Sequence, residues 1–162
     1  MPIGRGEKKT PIVSRGFFLL PALFVFLVDQ AAKFWAVRSL DLAESRPILG
    51  NFFHLTLVEN QGIAFGLFGG MERVLFIVIT LSLILLILFG LCSQTLQRHS
   101  QWGIGLILGG ALGNWADRIR VGAVIDFLDF RVWPVFNFAD TAITLGVGLF
   151  LLDFFAGRKH VS

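Results

Sequence analysis

The sequence contains no tyrosine, a single cysteine, three histidines and few charged residues. The lone cysteine, Cys92, excludes an intrachain disulfide, and its place in an apolar run is typical of a small buried hydrophobe. Charged residues make up 15% of the chain and the net charge is +3, too small and too scattered for a nucleic-acid-binding surface. Hydrophobic residues make up 55% of the 162, more than one soluble core of this size buries. We therefore expect an integral membrane protein.

Four apolar stretches approach the roughly 20 residues that a membrane-spanning helix requires. They cover residues 17–37, 74–92, 102–119 and 136–155. We predict a membrane all-α core of four transmembrane helices within a single domain, residues 1–162. The first stretch has the apolar core of a signal peptide. However, Asp29 and Lys33 follow that core where a cleavage site would be small and neutral, so we expect this segment to be retained.

Basic residues in the short flanks predict the orientation of the helices. They concentrate in the two terminal tails and in the connection after the second stretch: Arg5, Lys8, Lys9, Arg15, Arg98, Arg158 and Lys159. This distribution predicts that both termini are cytoplasmic and that the longer connections, residues 38–73 and 120–135, lie at the outer face. Aromatic and β-branched residues at 51–60 and 123–130 predict small extracytoplasmic strands there. The alternative is a pair of interfacial loops whose phenylalanines dip into lipid.

Glycines recur at every fourth position of the third stretch, at Gly105, Gly109 and Gly113. Small residues at this spacing let a neighbouring transmembrane helix approach closely. We therefore expect the third helix to make a tight helix–helix contact along this face.

Polar residues within the apolar stretches are the most informative feature, because an ionisable group at membrane depth costs about 3 kcal/mol even on mild scales. Asp29 and Lys33 lie one helical turn apart and can pair. The predicted topology brings these two to the outer face together with Asn60, Asn114, Asp117, Arg118, Asp126, Asn137 and Asp140. Taken singly, Asp29 with Lys33 or Asp117 with Arg118 is best interpreted as a structural ion pair. The convergence of all of them on one face indicates a functional site.

The residue types in this cluster favour chemistry by carboxylates. The three histidines are scattered over both faces without the spacing of metal ligands, so we expect no metal site and no cofactor. No histidine accompanies a serine or cysteine nucleophile, and no lysine follows the glycines as in a phosphate-binding loop. Two carboxylates held close together share a proton, so such a pair can activate water and protonate a leaving group. Asp126 and Asp140 bracket a short outer connection and are the best candidates for this pair.

Five segments of the chain resemble the lipoprotein signal peptidases, or signal peptidase II, which are small four-span aspartic proteases of the bacterial inner membrane. They are DQAAK at 29–33, ENQGIAFG at 59–66, GGALGNWADRI at 109–119, VIDF at 124–127 and FNFAD at 136–140. The resemblance implies that Asp126 and Asp140 are the catalytic pair, below a small extracytoplasmic β-rich cradle. It also implies a substrate-binding set and a supporting set: Asn60, Asn114, Arg118 and Asn137 for the first, and Asp29, Lys33, Gly62 and Asp117 for the second.

The same resemblance implies a substrate and partners. Members of the family cleave prolipoproteins on the amino side of a lipobox cysteine that carries a diacylglyceryl group, and the cyclic peptide globomycin inhibits them. We therefore expect a monomeric membrane endopeptidase surrounded by lipid, with its active site at the outer, periplasmic face. A small proton-coupled transporter or channel subunit is the alternative from another class, because intramembrane Asp and Lys also mark ion pathways. A third possibility is an assembly factor that only binds lipid or partner helices.

Overall fold

A computed structural model describes residues 16–61, 71–93, 96 and 98–158 of the chain. Within these ranges the chain forms four helices: α1 (Leu19–Ser39), α2 (Met71–Cys92), α3 (Arg98–Val121) and α4 (Phe138–Arg158). It also forms three strands: β1 (Ser45–Leu49), β2 (Phe53–Asn60) and β3 (Val124–Asp129). The four predicted helices are therefore present, together with a small sheet in the two predicted outer connections.

Helix α1 is long and apolar enough to cross a membrane, with 21 residues and a mean hydropathy of 1.5. Shorter apolar stretches lie within α2 and α4, at Ile77–Cys92 and Phe138–Leu152. Large hydrophobic side chains remain exposed on these helices, among them Leu85 and Leu152. Such an apolar exterior is typical of a surface that faces lipid.

Helix α3 is the central helix and contacts each of the other three. A Cβ atom added at Gly105 or Gly109 would collide with the backbone of α1, and one added at Gly110 would collide with the backbone of α4. The predicted close contact along the glycine face is confirmed, and its partner is α1. The buried core between the helices consists of Phe18, Ala22, Leu83, Ile104 and Leu108.

The sheet is antiparallel, in the order β1-β2-β3, and packs on the end of α1. We call this end of the helices the sheet end. A second core joins sheet and helix there, made of Ala36, Leu40, Leu57, Ile125 and Phe127. The strands predicted at 51–60 and 123–130 are confirmed as β2 and β3, which pair with each other, so the interpretation as unpaired interfacial loops is wrong.

Strand β1 is not predicted by the sequence. Its five residues, SRPIL, include Pro47, which lacks the N–H group that a central strand donates. Proline is tolerated in this case because β1 is an edge strand that pairs only with β2.

Candidate active site

Strand β3 places Asp126 in the interior at the sheet end, where it is 2% exposed. One carboxylate oxygen accepts a hydrogen bond from Asn60 Nδ2 at 3.0 Å, and the other accepts one from Asn137 Nδ2 at 2.7 Å. Burial raises the pKa of Asp126 to about 6, the two amide hydrogen bonds oppose that increase, and the negative charge of Asp140 adds to it. Asp126 therefore titrates close to neutral pH, as a group that exchanges protons in catalysis must.

Asp140 lies in the first turn of α4 and is positioned by the local sequence FNFAD. The backbone N–H of Asp140 donates to Asn137 Oδ1 at 2.9 Å, and the backbone N–H of Asn137 donates to Asp140 Oδ2 at 3.3 Å. This reciprocal pattern is a capping box, with Asn137 as the cap of the helix. It holds the carboxylate of Asp140 at the helix N-terminus, where the helix dipole stabilises a negative charge.

Two asparagines connect the carboxylates of Asp126 and Asp140. Asn137 Nδ2, which donates to Asp126, also lies 3.0 Å from Asn114 Oδ1. Asn114 Nδ2 in turn donates to Asp140 Oδ1 at 2.8 Å. The structure thus brings together five of the residues that the sequence assigned to the site: Asn60, Asn114, Asp126, Asn137 and Asp140.

A buried lysine lies next to this set. Lys33 Nζ contacts Asp29 Oδ2 at 2.8 Å, Asp117 Oδ2 at 2.7 Å and Asn114 Oδ1 at 2.8 Å. The side chains of all three charged residues are 0% exposed. Three acceptors match the three protons of the ammonium group. Because Asn114 Oδ1 accepts from Lys33, its Nδ2 is left to face Asp140.

Each carboxylate that pairs with Lys33 also accepts a main-chain N–H group. Asp29 Oδ1 accepts from Ala139 at 2.9 Å, and Asp117 Oδ2 accepts from Ile125 at 3.3 Å. Ala139 and Ile125 directly precede Asp140 and Asp126 in the sequence. The supporting charges therefore hold the two backbone segments that carry the candidate carboxylates.

The expected pair of Asp117 with Arg118 is wrong. Asp117 pairs with Lys33 and, at 3.3 Å, with Arg120, because adjacent residues on a helix point in different directions. Arg118 Nη1 instead donates to the backbone carbonyl of Asn114 at 3.2 Å, and the charges of Asp140, Asp117 and Asp126 act on its guanidinium without a direct ion pair. Gly62, which was also assigned to the site, lies outside the described residues.

Gln30 also belongs to this network, and the sequence does not predict it. Its Nε2 lies 3.3 Å from Asp29 Oδ2, 3.2 Å from the carbonyl of Gly113 and 3.2 Å from Asp117 Oδ1. The available signal was an amide in an apolar stretch, directly beside an aspartate that was already assigned to the site.

The chemistry that this arrangement supports is acid–base catalysis by two carboxylates in unlike environments. Asp126 is buried, which raises its pKa to about 6, whereas Asp140 lies at a helix N-terminus. Among the residues that the structure describes, no group of three or more His, Cys, Asp and Glu is arranged to hold a metal ion. Beside Asp140 opens a groove of about 360 Å³, lined by Phe130, Trp133, Phe136, Asp140, Thr141, Thr144 and Leu145.

Comparison with known proteins gives concordant matches over most of the chain. The sequence model of the family described as Signal peptidase (SPase) II matches residues 21–156. A lipoprotein signal peptidase of Halothermothrix orenii is 46% identical over 137 residues, covering 85% of this chain and 94% of that protein. A lipoprotein signal peptidase of Brevibacillus brevis is 40% identical over 148 residues, covering 89% and 98%.

Two solved structures, both described as bacterial membrane enzymes, have a similar fold. One superposes with a TM-score of 0.81 at 30% identity and covers 91% of this chain and 92% of its own. The other has a TM-score of 0.79 at 32% identity, with coverages of 86% and 92%.

Proposed function

The chain belongs to the signal peptidase II family, and from this membership we propose how its residues cleave a prolipoprotein. It is a membrane-bound aspartic endopeptidase that removes signal peptides from prolipoproteins, so the alternatives of a transporter and of an assembly factor are set aside. We propose that Asp126 and Asp140 are its catalytic pair. The observation that carries this assignment is that Asn137 donates to both carboxylates.

In the proposed reaction, Asp140 accepts a proton from a water molecule as the water attacks the scissile carbonyl carbon. Asp126 donates its proton to the carbonyl oxygen, which becomes the hydroxyl of the tetrahedral intermediate. The carbon–nitrogen bond then breaks: the amine leaves with the proton that Asp140 holds, and one hydroxyl of the intermediate returns its proton to Asp126 as the new carboxylic acid forms. The role of Asp126 follows from its surroundings, because burial raises its pKa to about 6 and so favours the protonated form, and Asp140 takes the other role.

The substrate-binding groups in this proposal are Asn60, Asn114, Arg118 and Asn137. The guanidinium of Arg118 donates to one main-chain carbonyl of its own helix, and we propose that other N–H groups of Arg118 bind the substrate backbone. The asparagines hold the catalytic carboxylates and orient the scissile peptide bond. The substrate is a prolipoprotein with a diacylglyceryl-modified cysteine, cleaved on the amino side of that cysteine.

We also propose that all four helices span the membrane, with both termini cytoplasmic and the sheet end at the periplasmic face. Hydrogen bonds join the C-terminal halves of α1 and α3 to the start of α4 at the sheet end. Helices α1 and α3 therefore run towards the sheet end and α4 runs away from it, as this topology requires. We further propose that the protein acts as a monomer in contact with membrane lipid.

The decisive experiment is cleavage of a purified diacylglyceryl-modified prolipoprotein by the purified protein in detergent, with and without globomycin. The expected result is a shortened product that globomycin suppresses. Asp126→Asn and Asp140→Asn should each lower turnover by at least about a thousandfold, because each removes one partner in proton transfer. Retained turnover in either variant contradicts the assignment.

Asp129→Asn is the matched control, since Asp129 lies on the same strand as Asp126 and is also buried. Its carboxylate is bound outside the site, by Thr56 Oγ1 at 2.7 Å and the backbone N–H of Arg131 at 2.7 Å. Burial opposes ionisation of Asp129, but these hydrogen bonds and the charge of Arg131 hold its pKa below the ordinary value. The control variant should cleave at close to the normal rate.

A further inference from the structure

The groove beside Asp140 differs in chemistry from the polar network described above. Its walls are Phe130, Trp133 and Phe136 on one side and one face of α4 on the other, at Thr141, Thr144 and Leu145. Asp140 is the charged residue in this lining and lies at one end of the α4 face. Leu145 lies more than one helical turn further along and is 59% exposed, so the groove leads from the catalytic carboxylate onto the apolar exterior of α4.

The threonines do not make this groove polar. Thr141 Oγ1 donates to the carbonyl of Asn137 at 3.1 Å, and Thr144 Oγ1 donates to the carbonyl of Asp140 at 2.8 Å. Both hydroxyl groups are thus engaged by the helix backbone. The opposite wall is also apolar, because it is formed by aromatic side chains. Two of them, Phe130 and Phe136, stack with ring centroids 5.8 Å apart and an interplanar angle of 16°.

A groove of this composition favours an alkyl chain over a peptide. An extended peptide would bring N–H and C=O groups that need hydrogen-bond partners, and the lining provides few. An alkyl chain has no such requirement. The volume of about 360 Å³ holds roughly a dozen methylene groups if each occupies about as much space as a water molecule, about 30 Å³. A single leucine side chain would leave most of that volume empty.

We propose that this groove binds one acyl chain of the diacylglyceryl group on the substrate cysteine. The inference rests on the proposed function, in which the bond that breaks is the one before that cysteine. The lipid is attached to the side chain of the cysteine, so it must leave the site close to Asp140, where the groove begins. The acyl chain of the free substrate already lies in lipid, so its transfer into the groove is accompanied by little hydrophobic free energy. The groove acts instead by aligning the scissile bond with the carboxylates.

The test compares two synthetic lipopeptide substrates that differ only in their acyl chains, one dipalmitoyl and one dibutyryl. We expect the unaltered protein to prefer the dipalmitoyl substrate by roughly tenfold in kcat/KM. Thr144→Phe fills the groove and should reduce this preference to near unity, and Trp133→Ala, which removes one wall, should reduce it as well. Val78→Phe introduces the same ring at an exposed position of α2 and should leave the preference intact.

Two results would overturn the proposal. In the first, Thr144→Phe lowers turnover of both substrates by the same factor, so that the preference is unchanged. In the second, Thr144→Phe alters selectivity for the amino acid before the cysteine but not for acyl length, which would make the groove a subsite for a signal-peptide side chain.

Failure of the proposed function is distinguished by a binding experiment that needs no turnover. If the protein cleaves neither lipopeptide, a dipalmitoyl lipopeptide with a photoreactive diazirine in the middle of one acyl chain is irradiated with it. Cross-links to the segment of α4 that contains Thr144 and Leu145 support the groove. Cross-links confined to other segments overturn it.

Discussion

Replacing the buried carboxylate of Asp126 by an amide should stabilise the protein while it removes activity. Burial raises the pKa of Asp126 from the ordinary 3.8 to about 6, so the folded state binds more protons than the unfolded state between these values. The free energy of unfolding therefore falls as the pH rises through this window and stays lower above it. Below about pH 4 the protonated side chain carries no such cost. Asp126→Asn should thus stabilise the fold at neutral and higher pH, but not in acid.

The magnitude follows from the pKa. A change from 3.8 to about 6 corresponds to about 3 kcal/mol at neutral pH, at about 1.4 kcal/mol per pH unit. Asn60 and Asn137 each donate a hydrogen bond to one oxygen of Asp126. In Asp126→Asn one of these oxygens becomes an NH₂ group, which cannot accept. The loss of that hydrogen bond costs about 1 kcal/mol unless the side-chain amide of Asn60 rotates to present its oxygen. The net gain is about 2 kcal/mol. For a chain of this length that corresponds to a rise in Tm of roughly 4–8 °C.

Thermal melting followed by tryptophan fluorescence in detergent measures this effect between pH 4 and pH 8. We expect Asp126→Asn to melt slightly below the unaltered protein in acid, because of the lost hydrogen bond, to rise above it between about pH 4 and about pH 6, and to keep a constant advantage at higher pH. Asp41→Asn, at an exposed carboxylate in the loop before β1, is the control and should change Tm little at any pH. A lower Tm for Asp126→Asn at pH 8, or a difference that does not vary with pH, would refute the reasoning.

Three further substitutions test the supporting structure. Lys33→Met leaves two buried carboxylates without their cation, so it should lower the free energy of unfolding by about 3–5 kcal/mol and abolish cleavage, measured by melting and by product formation. Gly113→Ala places a Cβ against Asp29 Oδ2 and should reduce kcat, whereas Gly148→Ala on α4, with open space around it, should not. Ala43→Gly relieves a residue with φ of 62° and should raise the free energy of unfolding by roughly 0.5–1 kcal/mol in the melting assay.

The helices and the strands β2 and β3 could be predicted because each carries its own signal. Apolar length identified the helices, and aromatic and β-branched residues identified the strands. Strand β1 carries no such signal, since Pro47 argues against a strand and all five residues are exposed. It exists because β2 offers a free edge to pair with, and that pairing is a tertiary contact that the local sequence does not encode.

The sequence predicted which residues cluster at the site better than it predicted which of them contact each other. Topology and motif placed the polar residues at one end of the bundle, but several partners are far apart in the sequence. Asp117 illustrates the limit, because its nearest charged neighbour in sequence is Arg118 whereas its closest ionic contact is Lys33 of α1, at 2.7 Å. Gln30 was missed for a related reason, since an isolated glutamine in a span shows its importance only through the contacts it makes with α3.

Apolar residues in place of the buried ion cluster of Lys33, Asp29 and Asp117 could give the protein similar stability. The position of Lys33 explains why charged residues are found there instead. Its two carboxylate partners, Asp29 and Asp117, each accept the main-chain N–H that precedes a proposed catalytic aspartate, at Ala139 and Ile125 respectively. One cation therefore fixes two segments from different elements, the start of α4 and strand β3, relative to each other. Apolar packing has no directional bonds that could hold these two amides, so it could preserve the fold and still let the carboxylates drift apart. We infer that the cluster is retained for geometry, which predicts that replacing Asp29, Lys33 and Asp117 together by apolar residues of similar volume lowers kcat while leaving Tm nearly unchanged.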